Sequence, residues 1–301
     1  MQTMWNSKWF LLLTMMVLWG SSFALVRIAV ATVPAAWVMG LRLTIAALAL
    51  TAVLFATGRR LPAEPKSWRA YAVLAVIGNV VPFLLIAWGL RFIPSSLSGI
   101  LMAVMPLGVV VLAHFFLPDE PLQPLKLSGF LLGFIGVVII LGPDRLAAAR
   151  FAGYEFLGQV AVICAALCYS LQSIVSRRMK AKGALETAAA TLVVAAAIGL
   201  PVAWFDQPGG LSEASPQAMI ALLVVGLLTT GLASAVYFQL IRIAGASFAS
   251  LINYLIPVYA MVIGVVFLDE SISPMQIAGL GLILCGIAIV QVVAAPKPAG
   301  V

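Results

Sequence analysis

The chain carries the same landmarks twice, about 150 residues apart, and almost everything around them is apolar. The first set runs Leu90-Arg91-Phe92-Ile93-Pro94-Ser95-Ser96, then Pro106, Asp119-Glu120, Pro124, Gly129 and Gly136. The second runs Ile241-Arg242-Ile243-Ala244-Gly245-Ala246-Ser247, then Pro257, Asp269-Glu270, Pro274, Gly279 and Gly286. A duplicated and nearly all-hydrophobic chain points to a membrane protein with its site on the symmetry axis between the halves.

Of the 301 residues, 63% are hydrophobic and 9% charged, where a soluble domain carries about 25% charge. Uncharged runs of roughly 20 residues recur along the chain, each long enough to span a bilayer as a helix. The runs lack the alternation of a membrane barrel. The expected spans are 9–31, 35–57, 70–91, 95–117, 125–142, 157–178, 187–205, 217–242, 247–268 and 274–294. The connections leave no room for a soluble catalytic domain, and the apolar stretch after Lys8 is too long for a cleaved signal peptide. Cys164, Cys168 and Cys285 fall inside spans without metal-ligand company, and read as packing residues.

The net charge of +7 reads as a topology signal, and no nucleic-acid partner is expected. With the N-terminus cytoplasmic, Lys8, Arg59, Arg60, Lys66, Arg69, Lys126, Arg177, Arg178, Lys180, Lys182, Arg242 and Lys297 lie inside. Arg27, Arg91, Arg145 and Arg150 lie outside. That division puts 12 of 17 basic residues on one face, so both termini are expected in the cytoplasm.

Five spans per half is an odd number, so the second copy enters the membrane from the opposite side. The expected fold is all-α and polytopic: ten transmembrane helices as two inverted five-helix repeats, residues 1–148 and 149–301. The turn Asp119-Glu120 then falls inside and its copy Asp269-Glu270 outside. Inverted copies can exchange conformations and so alternate access between the two sides. Duplication without transport is the bland alternative.

Candidate site residues follow from polar groups within spans, which are costly and usually face the interior. The first span offers Trp19 and Ser22 on one face, the third Asn79 one turn before Phe83. The sixth offers Tyr169, Gln172, Ser173 and Ser176, the eighth Thr230, Ser234 and Tyr237, the ninth Ser250, Asn253 and Tyr254. The matching prolines Pro106 and Pro257 each remove a backbone donor, freeing the carbonyls of Met102 and Asn253 or merely kinking the helix. Each polar residue also has a plainer reading as an interhelical hydrogen bond.

Arg42 lies about 12 Å into its span at 1.5 Å per residue. It either clamps a carboxylate, or snorkels to the outer surface or pairs with helix-end carbonyls. His114, the only histidine, reads as an interfacial residue or a proton site. All ten acidic residues fall in loops or at span ends, so a carboxylate proton relay is unsupported. No metal or cofactor site and no catalytic constellation appears, which disfavours an intramembrane enzyme. Nothing resembles a channel selectivity filter. Gly129xxxGly133 and Gly279xGly281, with Gly136 and Gly286, suit close helix packing outside the site.

Trp19-Gly20-Ser21-Ser22-Phe23, Arg42-Leu43 and the glycine-rich stretches Gly129–Gly142 and Gly279–Gly286 resemble the drug/metabolite transporter superfamily, EamA type. Within it the chain looks most like bacterial amino-acid exporters of the YddG kind. The resemblance implies a multi-pass carrier in a bacterial inner membrane that exports amino acids, other metabolites or drug-like compounds. Its partners are then a small-molecule substrate and the bilayer, and a monomer is compatible with that role. The cavity composition adds an expectation of neutral, hydrophobic or aromatic amino acids as substrates.

Overall fold

A computed structural model of the chain describes residues 6–93, 95–141, 144, 152–179, 183–268 and 273–294. Pro94, the acidic turn Asp269-Glu270, and Arg145, Arg150, Lys180, Lys182 and Lys297 lie outside the described residues. Within them the chain forms ten helical rods, and the protein is an all-α, multi-pass membrane protein. The rods are α1 (Lys8–Val30), α2 (Ala35–Ala56), α3 (Pro65–Ala75, Val76–Val80 and Val81–Gly89), α4 (Ser95–Met102 and Met105–Phe116) and α5 (Pro124–Leu141). The second half supplies α6 (Gly153–Arg178), α7 (Ala184–Asp206), α8 (Pro216–Ala244), α9 (Ala246–Ser250 and Ile252–Leu268) and α10 (Pro274–Ala294).

Local chemistry sets the ends. Ser7 and Ser215 accept hydrogen bonds from Phe10 N and Ala218 N, satisfying first-turn donors that lack a helical partner. Pro65, Pro124, Pro216 and Pro274 open helices, where the missing N–H costs nothing. Large apolar side chains such as Leu48, Phe115 and Phe205 point outward, as a lipid-facing surface requires.

Two features depart from plain rods. α3 and α8 each contain a π-helical stretch, Val76–Val80 and Val225–Leu232, in which an extra residue per turn widens the helix. α4 is interrupted at Ala103-Val104, with Met105 between the break and Pro106, and α9 at Leu251, six residues before Pro257. Pro106 therefore sits in the first turn of a new helical segment, whereas Pro257 lies inside a continuing helix.

The halves meet through glycines. A methyl group added at Gly129 would lie 2.8 Å from Gly286 O, and one at Gly136 2.6 Å from Gly279 O. Residue 129 meets 286 while 136 meets 279, so α5 and α10 run antiparallel. Gly129 corresponds to Gly279 in the repeat, and Gly136 to Gly286, so each half offers the same pair of glycines to the other. Such a self-complementary contact is the mark of a two-fold axis. Backbone contact at Gly40–Gly199 brings α2 against α7, and Gly89–Gly158 brings α3 against α6. Small residues permit this approach in lipid, where packing rather than water expulsion holds helices together. Gly281 departs from the expected glycine face, because nothing lies within 4 Å of a methyl group added there. Gly133 instead makes room for the ring of Tyr254.

Candidate functional site

Between the halves lies a cavity of about 540 Å³, lined by Trp19, Ser22, Phe23 and Val26 of α1, Arg42 of α2, Phe83, Ile86 and Leu90 of α3, Met102 of α4, Tyr169 of α6, and Asn253 and Ile256 of α9. A second cavity of about 300 Å³ shares Trp19, Phe83 and Tyr169 with it and adds Gly78, Asn79, Gln172, Thr229, Thr230, Ser234, Tyr237 and Phe238. Trp19, Phe83 and Tyr169 form the wall common to the two cavities, which together are called the chamber. It extends from Trp19, midway along α1, toward Val26 near the helix end.

The lining follows the repeat. Trp19 and Tyr169, Ser22 and Gln172, Asn79 and Thr230, Phe83 and Ser234, and Met102 and Asn253 are pairs 150 or 151 residues apart. Asn79 and Thr230 lie on the two π-helical stretches. Such stretches are frequent at functional sites because they redirect side chains. Arg42 breaks the pattern, since Leu192 and Val193 stand at its two matching positions.

Aromatic rings form the inner wall. The ring of Trp19 stands 5.1 Å from that of Tyr237 and 6.2 Å from that of Tyr169, and Phe83 is 6.5 Å from Tyr169. A hydrogen bond holds the Tyr237 ring: Ser173 Oγ and Tyr237 OH are 2.7 Å apart, and Ser173 Oγ itself donates to the backbone carbonyl of Tyr169 one turn earlier. Thr229 Oγ1 reaches Ser22 Oγ at 3.2 Å, joining α8 to α1.

Arg42 does not snorkel. It is 8% exposed, its Nε donates to Thr230 Oγ1 at 3.0 Å, and its guanidinium lies 3.8 Å from the Phe83 ring centroid. Among the described residues no carboxylate pairs with it, and it carries the only charge in the lining. A buried, unneutralised guanidinium with several donors is suited to a planar anion such as a carboxylate.

The structure thus brings together Trp19, Ser22, Arg42, Asn79, Phe83, Met102, Tyr169, Gln172, Tyr237 and Asn253. Tyr254 is the exception. Its hydroxyl donates to Phe130 O at 2.7 Å and its ring packs on Gly133, so it fastens α9 to α5 and does not line the chamber. It follows Asn253 directly, and adjacent helical residues point about 100° apart. Pro106 and Pro257 stand outside the lining, as expected for residues that shape helices. Ser176 lines a separate cavity with Arg177 and Arg242, and His114 accepts a hydrogen bond from Leu122 N.

One cluster escaped the sequence reading. At the end of the bundle carrying Lys8, Glu120 accepts hydrogen bonds from Ala246 N and Ser247 N, both at 2.8 Å, with Lys126 Nζ 4.0 Å away. Asp119 accepts one from Arg177 at 2.7 Å, and Arg177 also donates to Arg242 O. This hydrogen bond holds the Asp119 carboxyl below its usual range. These contacts tie the α4–α5 turn to α6 and to the start of α9. The signal for them was the acidic turn and Arg-x-x-x-x-Ser segment, each present in both halves.

A model of the EamA-like transporter family matches residues 7–142 and again residues 156–292. An uncharacterized transporter of Bacillus subtilis, YoaV, is 27% identical over 92% of this chain and 94% of its own length. The uncharacterized inner membrane transporter YedA of Escherichia coli is 21% identical over 93% and 89%. A WAT1-related chloroplastic protein of Arabidopsis thaliana is 23% identical over 94% and 69%. One crystal structure superposes with a TM-score of 0.77 at 22% identity, covering 94% of this chain and 97% of that one.

Proposed function

The chain belongs to the EamA-like transporter family, and we propose that it is a secondary carrier that exports small amphiphilic solutes, foremost amino acids with large apolar side chains, by alternating access. The observation that carries this reading is the chamber between the halves. Its wall is built from matching positions of both repeats, so a swap of conformation between the halves would re-expose the same residues from the other side.

The chemistry of the wall supports the substrate class. Burying one large apolar side chain against Trp19, Phe83, Tyr169 and Tyr237 is worth about 1.5–3 kcal/mol, roughly ten- to over a hundredfold in affinity. A cationic side chain would meet no acidic partner there and would suffer desolvation, and an acidic one would compete with the substrate's own carboxylate for the single guanidinium of Arg42. Arg42 is the partner for the substrate carboxylate. Asn253 and Ser22 are neutral groups for its amine.

In this reading the Lys8 end is cytoplasmic and the membrane is a bacterial inner membrane. The Glu120 and Asp119 ties close that end, while the chamber extends toward the opposite one. The same framework would serve a carrier of another metabolite or drug-like compound, and the test discriminates. Uptake of radiolabelled phenylalanine into proteoliposomes should be competed by methionine, leucine and tryptophan. Selective competition by aspartate or lysine, with none by phenylalanine or methionine, would contradict the assignment.

A further inference from the structure

The chamber wall is mostly apolar and aromatic, with scattered neutral polar groups and a charge at one point only. Most of its lining positions come in matching pairs from both repeats, whereas Arg42 has apolar Leu192 and Val193 at its matching positions. We infer that the chamber selects its ligand by a carboxylate alone, so that an aromatic monocarboxylate without an amino group binds at least as well as the corresponding amino acid. This rests on the carrier reading above and narrows its substrate class.

A bound carboxylate neutralises a guanidinium that the protein leaves uncompensated among its described residues. Two opposite unit charges attract strongly in a low-dielectric chamber, far more than in water, and a guanidinium–carboxylate contact adds charge-assisted hydrogen bonds. An ammonium finds only neutral acceptors in the lining, and it carries the same sign as Arg42.

Aromatic faces could hold an ammonium by cation–π attraction. The face of Phe83 is already covered by Arg42 at 3.8 Å, and the rings of Trp19, Tyr169 and Tyr237 pack against one another. The apolar wall contributes equally to ligands that share a body, so the head group decides between them.

Three probes share the phenethyl body: 3-phenylpropionate carries only the carboxylate, phenethylamine only the ammonium, and phenylalanine both. Binding to the purified full-length protein can be read from intrinsic tryptophan fluorescence, since Trp19 lines the chamber, with isothermal calorimetry as a second readout. The expected result is a Kd for 3-phenylpropionate equal to or below that of phenylalanine, and one for phenethylamine weaker by at least about tenfold. In Arg42→Gln the gap between 3-phenylpropionate and phenethylamine should shrink by about tenfold or more, and in Arg42→Lys the order should persist. If Arg42→Gln does not fold, the wild-type series alone decides.

Phenethylamine binding as tightly as 3-phenylpropionate overturns the inference, as does the absence of binding by all three at millimolar concentration. The predicted binding order without any flux in proteoliposomes leaves the inference standing and removes the carrier reading. Phenylalanine flux combined with equal binding of the three probes does the reverse.

Discussion

Arg42 Nε donates to Thr230 Oγ1 across 3.0 Å, so the single charge in the chamber wall is aimed by a residue of the other repeat. Thr230 lies within the widened stretch Val225–Leu232 of α8 and faces the chamber. Thr230→Val keeps the shape and removes the acceptor. A hydrogen bond to a charged group is worth about 1.5–3 kcal/mol. The variant should therefore melt at lower temperature in detergent and bind phenylalanine roughly tenfold more weakly. Unchanged affinity would mean that Thr230 does not position the guanidinium.

Glu120 caps two backbone N–H groups at the start of α9. In Glu120→Gln the amide presents one acceptor and one donor group to two donors, so one of the two bonds is lost. The expected outcome is a more open Lys8 end. With Cys164, Cys168 and Cys285 replaced, a Ser234→Cys probe in the chamber should react several-fold faster with a membrane-impermeant maleimide supplied from that side. Glu213→Gln, far from this cluster in sequence and at the other end of the bundle, should leave the rate unchanged.

Asp119 supplies a pH dependence with a definite sign. Its hydrogen bond to Arg177 lowers its pKa in the folded protein. The stabilisation is then present above the ordinary carboxylate pKa and is lost as pH falls through the lowered one. The pair is partly exposed, at 30% and 54%, so its worth is at most about 1 kcal/mol. Asp119→Asn should cost that much or less near neutral pH, and the difference from wild type should vanish as acid protonates Asp119. A thermal-melt series over pH checks both points.

Glycines of α5 and α10 divide into two kinds. A methyl group at Gly136 would sit 2.6 Å from Gly279 O, a backbone atom that cannot swing away, whereas one at Gly281 meets nothing within 4 Å. Gly136→Ala should lower thermal stability by about 1–3 kcal/mol, the usual cost of overpacking. Gly281→Ala should be neutral within about 0.5 kcal/mol. Equal effects in detergent melts would show that the two helices do not meet as described.

The ten rods, the duplication and most of the chamber wall were legible in the sequence because each leaves a periodic trace. Apolar runs fix spans, and polar residues one turn apart fix a face. The π-helical stretches left no such trace. They insert a residue into a turn without changing its hydropathy, so the sequence offers Asn79 and Thr230 as polar residues but not their place on widened turns of the same cavity wall. Tyr254 was misplaced because it shared a polar cluster with Asn253, while only packing against Gly133 decides which way the ring turns. From sequence Glu120 is a loop acid, because its partners, Ala246 N and Ser247 N, lie more than a hundred residues away. Its repetition as Glu270 was the one hint that it had a role.

Counterflow tests the central claim most directly. Proteoliposomes preloaded with unlabelled phenylalanine and diluted into a trace of labelled phenylalanine should accumulate label transiently above equilibrium, because a single alternating chamber exchanges one substrate molecule for another. Arg42→Gln should reduce that overshoot about tenfold or more. Simple equilibration without overshoot, or an overshoot untouched by loss of Arg42, would contradict a carrier whose substrate sits in this chamber.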